Sequence, residues 1–230
     1  MREPRIVTFF RELPEPTPFD DAELWADGMR GALERYKRRV EENYTEATLE
    51  RLLGSPDPVC RRAAVVALGL VGTMAVNASV AGRLQDEDVL VRQLAADALW
   101  AIWFRCQRYE YGRELQRIVG QDDTRAVLRD LDFLIVRASD YAEAYNQRAI
   151  VYYRIGEFRR AVADCEAVLR LNPHHFGAAA GMAQCYLRLN KPQAALRAFR
   201  TALEINPNLD DVEAAVRSLE EALGEGAEDV

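Results

Sequence analysis

Hydrophobic side chains recur every three or four residues along most of the chain, which is the spacing of amphipathic α-helices. The segment 209–223 is typical, with Val212, Val216, Leu219 and Leu223 on one helical face. Proline, glycine and asparagine interrupt the pattern and mark turns between the helices. The pattern therefore predicts an all-α protein made of short helices joined by tight turns.

The C-terminal half repeats itself with a period of 34 residues, which is typical of repeat architectures. Pro173 and Pro207 mark the period most clearly, because each closes an aliphatic-Asn-Pro stretch. The same spacing relates four further pairs: Ala149 with Ala183, Tyr152 with Tyr186, Ala161 with Ala195, and Leu171 with Ile205. This pattern resembles the tetratricopeptide (TPR) repeat, with one unit at 142–175 and the next at 176–209.

Each position of this repeat has a physical role. The paired alanines let two helices cross closely, and the prolines end the second helix of each unit. Gly156 and Asn190 suit the turns within the units, where positive φ is needed. Bulky side chains fill the space between units: Tyr145, Tyr152, Phe158, Met182, Tyr186 and Phe199.

The ends of this region are less regular. Ala126–Ile135 falls where a second TPR helix belongs, whereas the helix at 109–119 matches poorly. We therefore assign 108–223 to one degenerate and two clear TPR units plus a closing helix. The acidic tail at 224–230 is expected to be disordered.

A second period, of 31 residues, runs through the N-terminal half. Each block follows an acidic turn, at 55–58 and at 86–88, whose carboxylates suit a helix N-terminus. The blocks match at three clear pairs: Arg61 with Arg92, Ala64 with Ala95, and Leu68 with Leu99. This pattern resembles a short HEAT repeat, and we assign 44–107 to HEAT-like repeats. Residues 1–43 are predicted to form an extended, proline-rich segment and a capping helix over about 20–40.

Residues 63–82 carry no charge, and this 20-residue run is long enough to span a membrane. The run consists mostly of Ala, Gly and Val, which insert weakly. It is also interrupted at Gly72-Thr73, a helix stop followed by an N-cap residue. We therefore expect two short buried helices, and a membrane anchor is the alternative.

Charge and cysteine usage narrow the function classes. The net charge is −7 and both halves are mildly acidic, so neither offers the positive field that nucleic-acid binding needs. The four cysteines lie far apart within apolar helical patterns, as buried free thiols do in a reducing cytosol: Cys60, Cys106, Cys165 and Cys185. The N-terminus lacks the continuous apolar core of a signal peptide. We expect a cytoplasmic protein that does not bind nucleic acid.

Residues for catalysis are scarce. The two histidines, His174 and His175, are adjacent in the linker between TPR units, where we expect a solvated or groove-facing pair rather than a metal site. The chain has no glycine-rich phosphate-binding motif of the GxGxxG or P-loop type. The sequence therefore predicts neither enzyme activity nor a cofactor.

The TPR resemblance implies a groove lined by the first helix of each unit. By repeat position it places eight residues there: Asn146, Gln147, Ile150, Tyr153, Arg154, Gln184, Leu187 and Arg188. Asn146 and Gln147 suit hydrogen bonds to an extended peptide, and Arg154 and Arg188 suit ion pairs with carboxylates.

Some TPR domains hold chaperone tails with a clamp of Lys, Asn and Arg. The corresponding positions here lack the cationic members: Asn146, Ile150, Gly177 and Gly181. Tail binding of that kind is therefore not expected. The small residues on this helix instead favour a shallow, apolar groove that suits a helix or an apolar peptide.

The predicted fold is an α-solenoid of HEAT-like repeats followed by TPR repeats. The function that this fold implies is a non-enzymatic adaptor that binds a protein or peptide on the TPR groove. HEAT-like repeats of this length also resemble those of bilin chromophore lyases. An accessory role to a modifying enzyme is therefore the second hypothesis, and a membrane-anchored repeat protein is the third.

Overall fold

The computed structural model describes residues 4–14, 22–105 and 109–228, and the regular secondary structure of these ranges is entirely helical. The expectation of an all-α fold is therefore confirmed. The chain divides into two compact units, Met1–Ile102 and Trp103–Val230. The sequence suggested a division after residue 107, which lies outside the described ranges.

The N-terminal unit contains helices α1 to α6 in chain order: Arg5–Phe10, Ala22–Asn43, Glu46–Leu52, Pro58–Val71, Asn77–Ala81 and Val89–Phe104. Helices α1, α2 and α3 each pack against α4. The predicted capping helix corresponds to α2, whereas the helix α1 was expected to be extended chain. It is helical because this conformation buries Ile6, Val7 and Phe9 on one side.

Hydrogen bonds at the two acidic turns repeat with the period seen in the sequence. The guanidinium of Arg61 donates to two backbone carbonyls of its turn, and Arg92 donates to the equivalent two carbonyls in the next turn. The four acceptors are the carbonyl oxygens of Ser55, Pro56, Asp86 and Glu87. Asp57 and Asp88 then accept backbone N–H bonds at the starts of α4 and α6. The hydrogen bonds at the turns therefore recur every 31 residues, as the residue types do.

Two ion pairs join the successive repeats. Arg61 forms a bidentate pair with Asp86 over 2.9 and 2.7 Å, and both side chains are almost fully buried. Arg62 forms a second bidentate pair with Asp88. The hydrogen bond from Arg62 holds the pKa of Asp88 at about 2.

The uncharged run at 63–82 forms several short segments. Helix α4 ends at Val71, a 3₁₀ turn covers Met74–Val76, and α5 follows at once. The side chain of Thr73 accepts a hydrogen bond from the backbone of Ala75, as an N-cap residue does. The predicted break at Gly72-Thr73 is therefore confirmed. Among the described residues, no helix has the length and hydropathy needed to cross a membrane.

The C-terminal unit contains helices α7 to α13: Tyr109–Val119, Thr124–Arg137, Ala142–Arg154, Phe158–Leu171, Phe176–Arg188, Pro192–Ile205 and Asp210–Glu228. Each helix packs against the next along the chain. The last residues of α6 also belong to this unit, where the Tyr141 hydroxyl donates to the carbonyl of Phe104 over 2.6 Å.

The turns inside the two clear TPR units have the predicted backbone conformation. Gly156 has φ 82° and Asn190 has φ 56°, both in the left-handed region. In each turn the following residue donates its N–H to the carbonyl of an equivalent tyrosine, Tyr152 or Tyr186, over 2.9 Å. These two equivalent hydrogen bonds lie 34 residues apart, as the repeat predicts.

The predicted bulky residues form the cores between helices. Tyr152 packs with Phe158, Met182 and Tyr186 around the small residues Ala149 and Ala161. Phe199 forms the centre of the next cluster, which α13 closes with Val212, Val216 and Leu219. The expected closing helix is thus present. It continues to Glu228, so most of the expected disordered tail is helical, because adding residues to an existing helix costs little.

Three cysteines are buried free thiols, as expected: Cys60, Cys165 and Cys185. Burial raises the pKa of Cys165 to about 12 and that of Cys185 to about 11, so both stay protonated and unreactive at neutral pH. Cys106 lies outside the described residues.

Candidate functional site

Three of the eight predicted groove residues line one pocket of about 370 Å³. They are Gln147, Ile150 and Arg154, which lie on one side of α9 at intervals of three and four residues. The opposite wall comes from the end of α7 and the start of α8, where Val119, Gln121, Asp122, Thr124 and Val127 contribute. The pocket is therefore mixed in character, with aliphatic walls and polar groups at its edge.

An aromatic and arginine cluster lies at the C-terminal end of α9. The rings of Tyr153 and Phe158 meet edge to face, with 5.5 Å between their centroids. The guanidinium of Arg188 lies 4.7 Å from the Phe158 centroid and 5.9 Å from that of Tyr153. This stacking brings together two residues predicted from separate repeats and holds the charge of Arg188 in a restricted position.

Several arginines around the turn between α9 and α10 have no acidic partner. Arg154, Arg159, Arg160 and Arg188 form no ion pair within 4.0 Å in the described part of the chain. Arg148, one turn away on α9, contrasts with them, because Asp132 and Asp164 both pair with it. Glu157 also lies in this turn, so the four arginines leave a local excess of positive charge there on an acidic protein.

Asn146 lies below this face, because its side chain is buried. Its amide nitrogen donates to Glu143 over 2.9 Å, and the amide of Gln147 donates to the same carboxylate oxygen over 2.6 Å. Asn146 therefore supports α9 from inside. Gln147 both supports the carboxylate and lines the pocket.

The expectation for His175 is wrong, because its ring is fully buried rather than solvated or groove-facing. Its Nδ1 accepts the backbone N–H of Ala178 over 3.0 Å, which makes it the N-cap of α11. Its Nε2 lies 3.1 Å from Glu143, and its ring stacks on Trp103 with centroids 4.1 Å apart. Since Nδ1 is the acceptor, Nε2 carries the proton and donates to the carboxylate.

The other two predicted residues, on α11, have different surroundings. Gln184 is exposed, whereas Leu187 is half-buried and packs in the Phe199 cluster. A side chain at Gly181 would meet nothing within 4 Å, so this part of α11 is open, as the small residues suggested.

Sequence reasoning missed the residues that α7 and α8 contribute to the pocket. Thr124 follows Asp123, which caps α8, and this Asp-Thr pair is the sequence signal for a helix start at the pocket edge. It also missed Glu143, because its two amide partners and His175 are brought together only by the packing of α9 on α11.

Comparisons with known proteins agree with both repeat types. The family model of HEAT repeats matches residues 45–132, and a model of the tetratricopeptide repeat matches residues 153–223. The HEAT match includes α7 and part of α8, which the sequence analysis assigned to a degenerate TPR unit.

Curated relatives match parts of the chain. A TPR repeat-containing protein of Rhizobium etli is 37% identical over 98 residues, which cover 43% of this chain and 48% of the relative. An uncharacterized phycocyanin operon protein Z of Pseudanabaena tenuis is 36% identical over 94 residues, 41% of this chain and 42% of the relative. The human Superkiller complex protein 3 is 31% identical over 87 residues, 38% of this chain and 6% of the relative. The chain thus spans about half or less of the length of these relatives.

Among solved structures, the first TPR domain of Spaghetti (RPAP3) bound to the HSP90 peptide SRMEEVD covers 50% of this chain and 91% of its own length. Its TM-score is 0.46 and its sequence identity is 19%. The internal periods, their repeated hydrogen bonds and the two family matches all lead to one assignment. The chain contains helical repeats of two kinds, which match HEAT repeats at residues 45–132 and tetratricopeptide repeats at residues 153–223.

Proposed function

We propose that the protein is a non-enzymatic adaptor whose TPR face binds an acidic segment of a partner protein. The observation that carries this proposal is a set of unpaired guanidiniums, of which Arg154 lines a pocket with aliphatic walls and Arg188 lies over the rings of Tyr153 and Phe158. TPR repeats give the general role in protein interaction, and the local chemistry gives the class of ligand.

The pocket and the arginines favour different parts of such a ligand. Ile150 and Val119 offer apolar contacts for one aliphatic side chain, and the exposed edge of Gln147 offers a hydrogen-bonding group. Arg154 at the pocket edge suits a carboxylate next to that anchor, and Arg188 on its aromatic support suits a second carboxylate of the same segment. An acidic segment with one buried aliphatic residue satisfies all three features.

The test is affinity capture from a lysate of the native cell with the full chain as bait. A double variant, Arg154→Glu with Arg188→Glu, reverses the charge at the proposed site. The control is Arg170→Glu with Arg197→Glu, which makes the same charge change at two exposed arginines of α10 and α12. We expect partners that the wild type and the control capture and the site variant does not.

Equal helicity by circular dichroism must be established for all three proteins first. Capture of the same partners by the site variant would contradict the proposal. So would partners whose binding segment, mapped by cross-linking to Ile150→Cys, carries no acidic residues.

A second candidate function follows from the similarity to the phycocyanin operon protein. In this role the chain assists an enzyme that modifies a protein with a bilin. Mixing an enzyme that attaches bilins with its bilin and an acceptor protein, with or without this chain, and then recording mass and absorbance, tests this role. An extent of acceptor modification that is the same with and without the chain would exclude it.

A further inference from the structure

The N-terminal unit contains an apolar groove that the proposed TPR site does not use. It has a volume of about 600 Å³, within the roughly 300–1,000 Å³ of ligand-binding clefts, and it is partly open to solvent. Its apolar lining comes from α1, α2, α4 and α6 and from the chain after α1, and α2 contributes Met29 and Leu33.

One wall of the groove is built by the HEAT repeat itself. Val59, Val66 and Leu70 of α4 line it, and α6 contributes Asp97 and Ala101 at the positions equivalent to Val66 and Leu70. The two helices approach closely below this wall, since a side chain added at Gly69 would lie 3.0 Å from the Cβ of Ala98. The named positions along each helix lie four or seven residues apart, which is one or two helical turns, so the side chains of each helix form a straight ridge.

The apolar ridge on α6 continues beyond the groove. Leu90 lies one helical turn before Leu94 and is 47% exposed, and Val89 beside it is 53% exposed. Exposed large aliphatic residues that extend a groove in one direction favour an elongated ligand over a compact one.

The one charged group of the groove without a partner among the described residues is acidic. Arg11 and Arg62 also line the groove, but both interact with other residues, and the guanidinium of Arg62 is held by Asp88 in a bidentate pair. Asp97 forms no ion pair and no hydrogen bond among the described side chains, and partial burial raises the pKa of its carboxyl group. A cation placed opposite Asp97 would relieve this cost.

We propose that this groove binds an amphipathic helix of a partner protein, with its apolar ridge between α4 and α2 and a lysine or arginine opposite Asp97. A helix presents side chains at i, i+3, i+4 and i+7, which is the spacing that the walls of the groove offer. The groove and the TPR site thus take partners of opposite charge.

The experiment uses a displayed library of helix-biased peptides, each about 18 residues or five turns long, selected on the full chain. We expect enriched peptides with apolar residues at helical spacing and at least one basic residue flanking them. Enrichment of acidic or non-helical sequences, or no enrichment, would overturn the proposal.

Variants locate the binding of the selected peptide. Val66→Glu and Ala101→Glu each place a charge on the apolar wall, and we expect each to weaken binding at least about tenfold. Ala47→Glu adds the same charge at an exposed position of α3 and is the matched control. Binding that survives both groove variants would contradict the proposal. Circular dichroism of each variant shows whether a loss of binding is caused by misfolding, and a second variant remains if one of them does not fold.

A charge reversal tests the role of Asp97. Asp97→Lys should weaken the selected peptide about two- to fivefold, the range of an exposed ion pair, and a Lys→Glu change in the peptide should restore it. If the Lys→Glu change in the peptide does not restore binding, Asp97 does not contact the basic residue of the peptide. If the wild type self-associates and Val66→Glu abolishes this self-association, the groove binds a second copy of the chain instead of a partner helix.

Discussion

The ring of His175 is held by three different parts of the C-terminal unit at once. It caps α11 through Ala178, bonds to Glu143 on α9 and stacks on Trp103 from the end of α6. Glu143 in turn accepts hydrogen bonds from both Asn146 and Gln147. One buried imidazole therefore connects the helix that lines the pocket with its neighbours.

The network predicts a graded loss of stability. His175→Ala removes the cap and leaves a buried carboxylate with one partner fewer, so we expect a loss of about 3 kcal/mol. His175→Asn keeps a good capping side chain and should lose about half as much. Denaturant unfolding followed by circular dichroism measures both. Equal losses would show that the cap contributes nothing.

Asp88 makes the stability of the N-terminal unit depend on pH in the acidic range. The hydrogen bond from Arg62 lowers its pKa from 3.8 to about 2 in the folded protein, so folding favours the ionised form. This contribution is complete above about pH 4 and is lost as the pH falls to about 2.

Asp88→Asn keeps the cap on α6 but removes the charge, so its stability should fall less between pH 4 and pH 2 than that of the wild type. Thermal unfolding at a series of pH values gives the comparison, and parallel curves for the two proteins would refute the assignment.

At the level of elements, the turns of the TPR units depend on single residues. Gly156 has a positive φ, so Gly156→Ala should destabilise the protein by about 1–2 kcal/mol. Gly181 lies within α11, and an added side chain would meet open space, so Gly181→Ala should stabilise by about 1 kcal/mol. Urea unfolding of both variants checks these opposite signs, and a loss at Gly181 would contradict the open surface.

The crossing of α11 and α12 depends on a small residue. Ala195 is fully buried there, and Ala195→Leu should overpack the crossing and cost about 1–3 kcal/mol. Gln193→Leu, at an exposed position on the same helix, should leave the melting temperature unchanged. An unchanged melting temperature for Ala195→Leu would show that the alanine does not sit at the crossing.

Most helices could be predicted because their signals are local. The paired prolines, the residues with positive φ at 156 and 190, and the acidic turns all act within a few residues of the chain. Helix α1 and the extension of α13 were not predicted. The first gains its stability from Ile6 and Phe9 burying against other helices, which no local pattern expresses.

At the scale of the whole molecule, charge is unevenly distributed. The chain has a net charge of −7, yet four unpaired arginines surround one turn of the TPR region. An acidic partner would be attracted to this turn, although the net charge of the chain repels it.

Binding of an acidic partner at the TPR site should therefore weaken with salt. We expect the dissociation constant to rise several-fold between 50 and 300 mM salt, on the order expected when exposed charges are screened. Arg154→Glu with Arg188→Glu should remove most of this dependence, and titration calorimetry at three salt concentrations measures it. An affinity that does not change with salt would exclude the arginines as the main contact.

The candidate site could be predicted only in part. Repeat position placed Gln147, Ile150 and Arg154 on α9, where they line a pocket together. It could not distinguish Asn146, which faces the buried Glu143, because neighbouring helical positions differ by only about 100° in direction. The groove of the N-terminal unit was missed because α1 and α2 complete it from distant parts of the chain.

The repeated arginine contacts of the N-terminal unit have a consequence for how such a protein changes in length. A gene duplication that inserted a second copy of residues 57–87 after Glu87 would place Asp57 where Asp88 now begins α6. The copied Arg61 would meet the carbonyls of Asp86 and Glu87, as Arg92 does now, and it would pair with the copied Asp86 as the original pairs with Asp86. The arginine and capping contacts at the new junction are ones that the present protein already makes, so they would not oppose growth of the array by whole repeats.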